Sequence, residues 1–132
     1  MSETVEITKP KIAEELKELL QTKVEEEKQV IVHCCFPAQV TWGNLIRIWQ
    51  STFLIDEELN HKSHLIHAEN ISLFPYWTEV TPGKDFWFTL VFSGLPKECR
   101  NFDLKEIIPE EGGFWVQKIK RNGTDVYRVK IS

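Results

Sequence analysis

Between Val30 and Ile131 the chain alternates apolar and polar residues in one short run after another, each closed by Pro, Gly, Asn or Asp. Period-two alternation sends one face of a strand into a core and leaves the other to water, so the pattern dictates a mainly β fold before any reaction is considered. Strand candidates fall near residues 30–36, 46–56, 63–72, 76–80, 85–93, 101–107, 114–121 and 124–131, which predicts an antiparallel sandwich of seven or eight strands. Phe86, Phe88, Leu90 and Phe92 share one strand face while Trp87, Thr89 and Val91 share the other. A strand apolar on nearly both sides belongs in the middle of a sheet.

The N-terminal part reads differently. Residues 9–28 are strong helix formers with Ile12, Leu16, Leu19, Leu20 and Val24 at helical spacing, and Thr8 and Pro10 suit the first turn. The organisation predicted is therefore a tail and amphipathic helix over residues 1–28 and a β-sandwich domain over 29–132. Helices of this kind mostly bury their stripe within their own chain, although docking on a partner is the other use.

A length of 132 residues suffices for one core without disulfides or metal. The formal net charge of -4 argues against nucleic acid or an anionic membrane as partner, because both demand a surplus of Lys and Arg. The start, Met1-Ser-Glu-Thr-Val-Glu6, has neither a basic n-region nor an apolar h-region, and no apolar run is long enough to span a bilayer. Three cysteines, two of them adjacent, do not form a secreted disulfide framework. Together these predict a cytoplasmic protein whose thiols pack as small apolar side chains.

Asn122-Gly123 predicts a two-residue type I′ hairpin, since both central positions of that turn need positive φ. Counting outward from it pairs Lys120 with Asp125 and Trp115 with Lys130. Phe114, Val116, Tyr127, Val129 and Ile131 would then face the core, and Trp115, Gln117, Ile119, Arg121, Val126, Arg128 and Lys130 the outside. A basic and aromatic strip on an acidic chain is the candidate binding surface, with Trp115, Gln117, Arg128 and Lys130 as its members and Trp77 as a further aromatic anchor. The competing reading is a solvated sheet face on which long basic stems cover apolar neighbours.

Chemistry-bearing patterns are weak. His61, His64 and His67 stand at intervals of three, which a regular strand sends to alternate faces, so they predict no metal site. Cys99 has Lys97 and Arg100 nearby, which could lower its pKa, but no partner base can be identified. Gly112-Gly113 precedes a strand instead of a helix and is not a phosphate loop. No catalytic residue and no cofactor is predicted.

The run Phe88-Thr-Leu-Val-Phe-Ser-Gly-Leu-Pro96, followed by Phe102-Asp-Leu-Lys-Glu106 and Gly113-Phe-Trp-Val116, resembles bacterial domains of immunoglobulin-like sandwich type whose function is uncharacterised. The resemblance implies an immunoglobulin-like antiparallel β-sandwich, carried here with one N-terminal α-helix, and it brings no catalytic residues. On this reading the chain is a non-catalytic binding or protein-interaction module with a protein partner. The alternative is a small-ligand or glycan-binding sandwich, which an exposed row of Trp42, Trp77 and Trp115 would favour; an enzyme is the third reading.

Overall fold

A computed structural model describes residues 28–38 and 44–131. The expected helix over 9–28 and Trp42 therefore lie outside the described residues, apart from Lys28. More than half of the described residues are in strands, and the domain is mainly β as the alternation requires. The strands are β1 (Gln29–Phe36), β2 (Asn44–Ile46), β3 (Thr52–Asp56), β4 (His61–Glu69), β5 (Thr78–Val80), β6 (Phe86–Ser93), β7 (Asn101–Glu106), β8 (Trp115–Lys120) and β9 (Val126–Lys130). Seven form one sheet in the order β8-β7-β3-β4-β6-β1-β9, and β2 pairs with β5 in a separate ribbon.

The single candidate strand over 46–56 divides in two. Ile48 bridges to Leu73, and the Thr52 hydroxyl turns back to donate to the Trp49 carbonyl at 2.6 Å, which bends the chain between β2 and β3. Pairing is not antiparallel throughout, because β9 runs parallel to β1 with Ile31 opposite Val126 and Cys35 opposite Lys130. The sheet curls until it is nearly barrel-shaped. Phe102 of β7 meets Tyr127 of β9 edge to face at 5.0 Å, so strands near opposite edges touch across the interior.

The core follows the alternation. Val30, Val32 and Cys34 from β1, Phe88, Leu90 and Phe92 from β6, Leu54 from β3 and Leu104 from β7 are buried together. Each large apolar side chain removed from water contributes roughly 1.5 to 3 kcal/mol, which makes this cluster the main source of stability. As its composition demands, β6 is an interior strand, lying between β4 and β1. Buried Thr52 and Ser63 are tolerated because both hydroxyls donate to carbonyls, Ser63 to Gly94 at 2.9 Å.

The terminal hairpin does not form. β8 pairs with β7 and β9 with β1, at opposite edges of the sheet, so the deduced partners Trp115 and Lys130 are not neighbours. Positive φ occurs at Asp125 (58°) and Lys118 (57°), not at Asn122 or Gly123. The Asn122 side chain organises the connection instead, its Oδ1 accepting from the Thr124 and Asp125 amides at 3.0 and 2.7 Å. This is an Asx-type turn, a competing use of Asn that the dipeptide alone does not distinguish from a hairpin.

Two bulges also shift the faces. In β8 two residues, Gln117 and Lys118, stand against Asp103, and the Lys118 amide donates to the Asp103 carboxylate at 2.9 Å. The phase flips there, so Ile119 packs on the core instead of facing outward. In β4 the register slips at Ile66, and His64 and His67 consequently both lie exposed on the outer face. The alternation argument that separated these two histidines holds only for an unbulged strand.

Candidate binding cleft

One end of the curled sheet carries a cleft of about 560 Å³. Its walls come from the ends of β1, β2 and β7 and from the loops beyond them: Phe36, Leu45, Arg47, Trp49, Trp77 and Phe114 are among them, with Glu106 at the floor. A cleft of this size, with aromatic walls and with Arg47, Glu106, Glu110 and Glu111 also in its lining, has room for a small ligand or for one or two side chains of a partner.

The wall on one side is a stack. Trp49 and Phe74 lie 3.9 Å apart at 22°, and the Arg47 guanidinium sits 4.6 Å from the Phe74 ring and 3.7 Å from the Trp77 ring. Arg47 Nη1 also donates to the Pro75 carbonyl at 3.2 Å. The stack is held by backbone: the Ile48 amide donates to Ser72 at 3.0 Å and the Phe74 amide to Ile48 at 2.8 Å, so the segments 47–49 and 72–74 cannot separate without losing both bonds. Its outer members remain open to solvent, Trp77 at 51% and Phe74 at 45% exposure.

The floor is a buried acid. Glu106 closes β7, and its Oε2 accepts from the Trp49 amide at 2.9 Å. Burial raises its pKa above the ordinary carboxylate value, while backbone hydrogen bonds from Trp49 and Phe114 and the charge of Arg47 pull it partly back. The loop that brings Phe114 alongside depends on its glycines. Gly112 has φ of 105°, and a side chain at Gly113 would overlap the Glu106 carbonyl oxygen. The paired glycines are thus the rim of the cleft and not merely a flexible entry to a strand.

Of the predicted site residues, only Trp77 lines this cleft. Trp115 and Gln117 are on the β8 edge, where the Trp115 indole donates to Asp103 at 2.9 Å and Lys105 Nζ lies 4.2 Å from its ring. Arg128 and Lys130 are exposed on β9 at the other edge of the sheet, with the Arg128 guanidinium 5.8 Å from the Trp87 ring. The strip deduced from the hairpin is therefore two separate surfaces. Arg47, Trp49, Phe74 and Glu106 were not singled out by sequence reasoning; the aromatic run Phe74-Pro-Tyr-Trp77 in a segment closed by turn residues was the available signal.

The thiols are poor nucleophiles. Burial, aided by Cys35, pushes Cys34 up to about 12, and burial with a hydrogen bond to Asp56 pushes Cys99 up to about 12, outweighing the nearby Arg121 cation. Among the described residues no group of three or more His, Cys, Asp or Glu is arranged to hold a metal ion.

Fold and site together define a mainly β domain with an aromatic, acid-floored cleft at one end of a curled sheet. Comparison with protein-family models, with curated proteins and with solved structures found no match.

Proposed function

We propose that the chain is a non-catalytic binding module that captures a segment of a protein partner in this cleft. The observation that carries the reading is the Trp49–Phe74–Arg47–Trp77 stack, assembled before any ligand arrives and open along its outer side. Trp, Tyr and Arg are the commonest energetic anchors of interfaces, and an anchor already fixed in place loses little side-chain entropy on binding. The neutral, buried thiols and the carboxylate tied to backbone amides support a role without chemistry. The sheet curls so that its two halves face each other across the core, as the layers of a sandwich do, which supports kinship with immunoglobulin-like bacterial domains. A cytoplasmic partner fits the sequence-based expectation.

A second reading, glycan binding, is favoured by the half-exposed Trp77 ring beside Glu110 and Glu111, an apolar platform with acceptors for sugar hydroxyls. The test is capture from the source cell by wild type and by the double variant Arg47→Ala with Trp77→Ala. The variant should unfold at nearly the same temperature and lose its protein partner, each anchor costing about 2 kcal/mol or more of binding. A folded variant that keeps every partner places binding elsewhere. Specific retention of wild type, but not the variant, on immobilised oligosaccharides would favour the glycan reading.

A further inference from the structure

The curl that makes the sheet nearly barrel-shaped turns its two edge strands, β8 and β9, towards one another without pairing them. Their Cα atoms stay more than 8 Å apart over nearly all of their length, whereas paired strands lie about 4.8 Å apart. A seam is left between them. The connection over residues 121–125 closes one end of it. The other end opens into the cleft, whose lining includes Phe114 just before β8 and Ile131 just after β9.

Both lips of the seam carry backbone groups that the described residues do not use. In the parallel pairing of β9 with β1 the Ile31 amide donates to the Asp125 carbonyl at 2.9 Å and the Ile131 amide to the Cys35 carbonyl at 2.8 Å. The odd-numbered residues of β9 therefore turn their backbone groups to β1, and the even-numbered ones turn theirs to the seam. Asn122 Nδ2 donates to the Val126 carbonyl at 2.9 Å, which leaves the amides and carbonyls of Arg128 and Lys130. On β8 the Phe114 carbonyl accepts from the Glu106 amide at 2.8 Å, and by the same alternation Trp115 and Gln117 turn their groups outward.

The side chains define what would fill the seam. Lys118 and Lys120 project from one lip and Arg128 and Lys130 from the other, all four exposed. Among the described residues no carboxylate forms an ion pair with any of them. The neighbouring acids are already engaged, Asp103 by the Trp115 indole and the Lys118 amide and Asp125 by Arg121. On the inner side Val116, Ile119 and Val129 pack against the core but are only partly buried.

We infer that the seam is a strand-docking site for an extended, acidic segment of a partner protein. Its backbone pairs with β9, its apolar side chains alternate inward onto Val116, Ile119 and Val129, and its carboxylates face the basic lips. β9 is the better template because it is unbulged, whereas the bulge at Lys118 interrupts β8. Like charge along both lips opposes a second copy of this chain as the occupant. The inference rests on the proposal that the chain captures a segment of a protein partner, and it names that segment's chemistry.

Hydrogen exchange on the full, unsubstituted chain tests it. In the free protein the Arg128 and Lys130 amides should exchange at least about tenfold faster than those of Tyr127 and Val129, which face β1. Equal protection would mean that the seam is already filled, and would overturn the inference. The probe is then a short capped peptide alternating Glu and Val. It should slow the Arg128 and Lys130 amides at least about tenfold and bind at least about tenfold tighter than its Lys and Val counterpart, an advantage that shrinks with added salt. No protection by the Glu peptide, or equal binding of the Lys peptide, would defeat the inference. Should that happen while Arg47→Ala with Trp77→Ala still loses the partner, capture at the cleft stands without the seam. Should the Glu peptide protect β9 while that variant keeps every partner, the seam is the binding site and the cleft is not.

Discussion

The two ends of the curled sheet are built on opposite principles. At the cleft end Trp49, Phe74, Arg47 and Trp77 stack at the surface and Glu106 is the single buried acid below them. At the other end a polar cluster closes the interior. Arg121 Nε and Nη2 donate to Asp125 at 2.6 and 3.0 Å, its Nη1 donates to the Pro96 carbonyl at 2.8 Å, and the Tyr127 hydroxyl donates to Asp125 at 2.9 Å. The Asn122 amide in turn donates to the Tyr127 oxygen at 3.0 Å. These groups satisfy one another, whereas the cleft presents aromatic and carboxylate surface that nothing in the described domain consumes. A fully connected polar cluster specifies a conformation; an unfilled aromatic wall is available for recognition.

The largest effect that would break this contrast is at Arg121. Replacing Arg121 with Ala strands Asp125 and removes the link from the β8–β9 connection to the Pro96 turn. It should cost about 2 to 3 kcal/mol, less than a fully buried pair because both side chains keep some exposure. Denaturant unfolding measures it, and a loss below about 0.5 kcal/mol would mean that the closed end is ornamental.

The two ends should also respond to acid with opposite signs. At Asp125 burial pushes the pKa up, but hydrogen bonds from Arg121 and Tyr127 and the charges of Arg121 and Lys28 outweigh it and hold the carboxyl below its usual range. A carboxyl lowered on folding adds stability that is present above its unfolded pKa and lost as pH falls through the folded one, so this end weakens below about pH 4. Glu106 is raised by burial, so its ionised form costs stability, and that cost disappears as pH falls through its folded pKa towards about 4. Unfolding midpoints taken from pH 7 to 3 should show Glu106→Gln removing a stabilisation on mild acidification and Asp125→Asn removing the loss at lower pH. Identical profiles for both variants would contradict the contrast.

The smallest effect is expected at Gly123. A type I′ hairpin would make Gly123→Val costly, but this glycine has ordinary φ and open space around the position of a Cβ. The substitution should change stability by no more than about 0.5 kcal/mol. A loss of 1 kcal/mol or more in thermal unfolding would restore the hairpin and undo the sheet order.

Much of the inner surface was legible in the sequence. The alternation placed Phe88, Leu90 and Phe92 inside and β6 in the interior of the sheet, and it put Tyr127 and Ile131 on the core side, all as observed. Local pattern succeeds here because whether a strand residue is buried depends on its phase, which the sequence carries. It failed at Ile119 and His67 because a bulge resets the phase, and a bulge is stabilised by contacts from another strand, as Asp103 does for Lys118.

The candidate site was less legible for the same physical reason on a larger scale. Trp77 was singled out, but Arg47, Phe74 and Glu106 come from three separate segments and acquire meaning only when the curl of the sheet brings them to one end. By itself the sequence determined a mainly β domain with an alternating core. Strand order, the parallel return of β9 beside β1 and the cleft were decided by tertiary structure, because pairing between strands tens of residues apart is settled by which edges and faces fill one interior, a quantity that no local run of residues encodes.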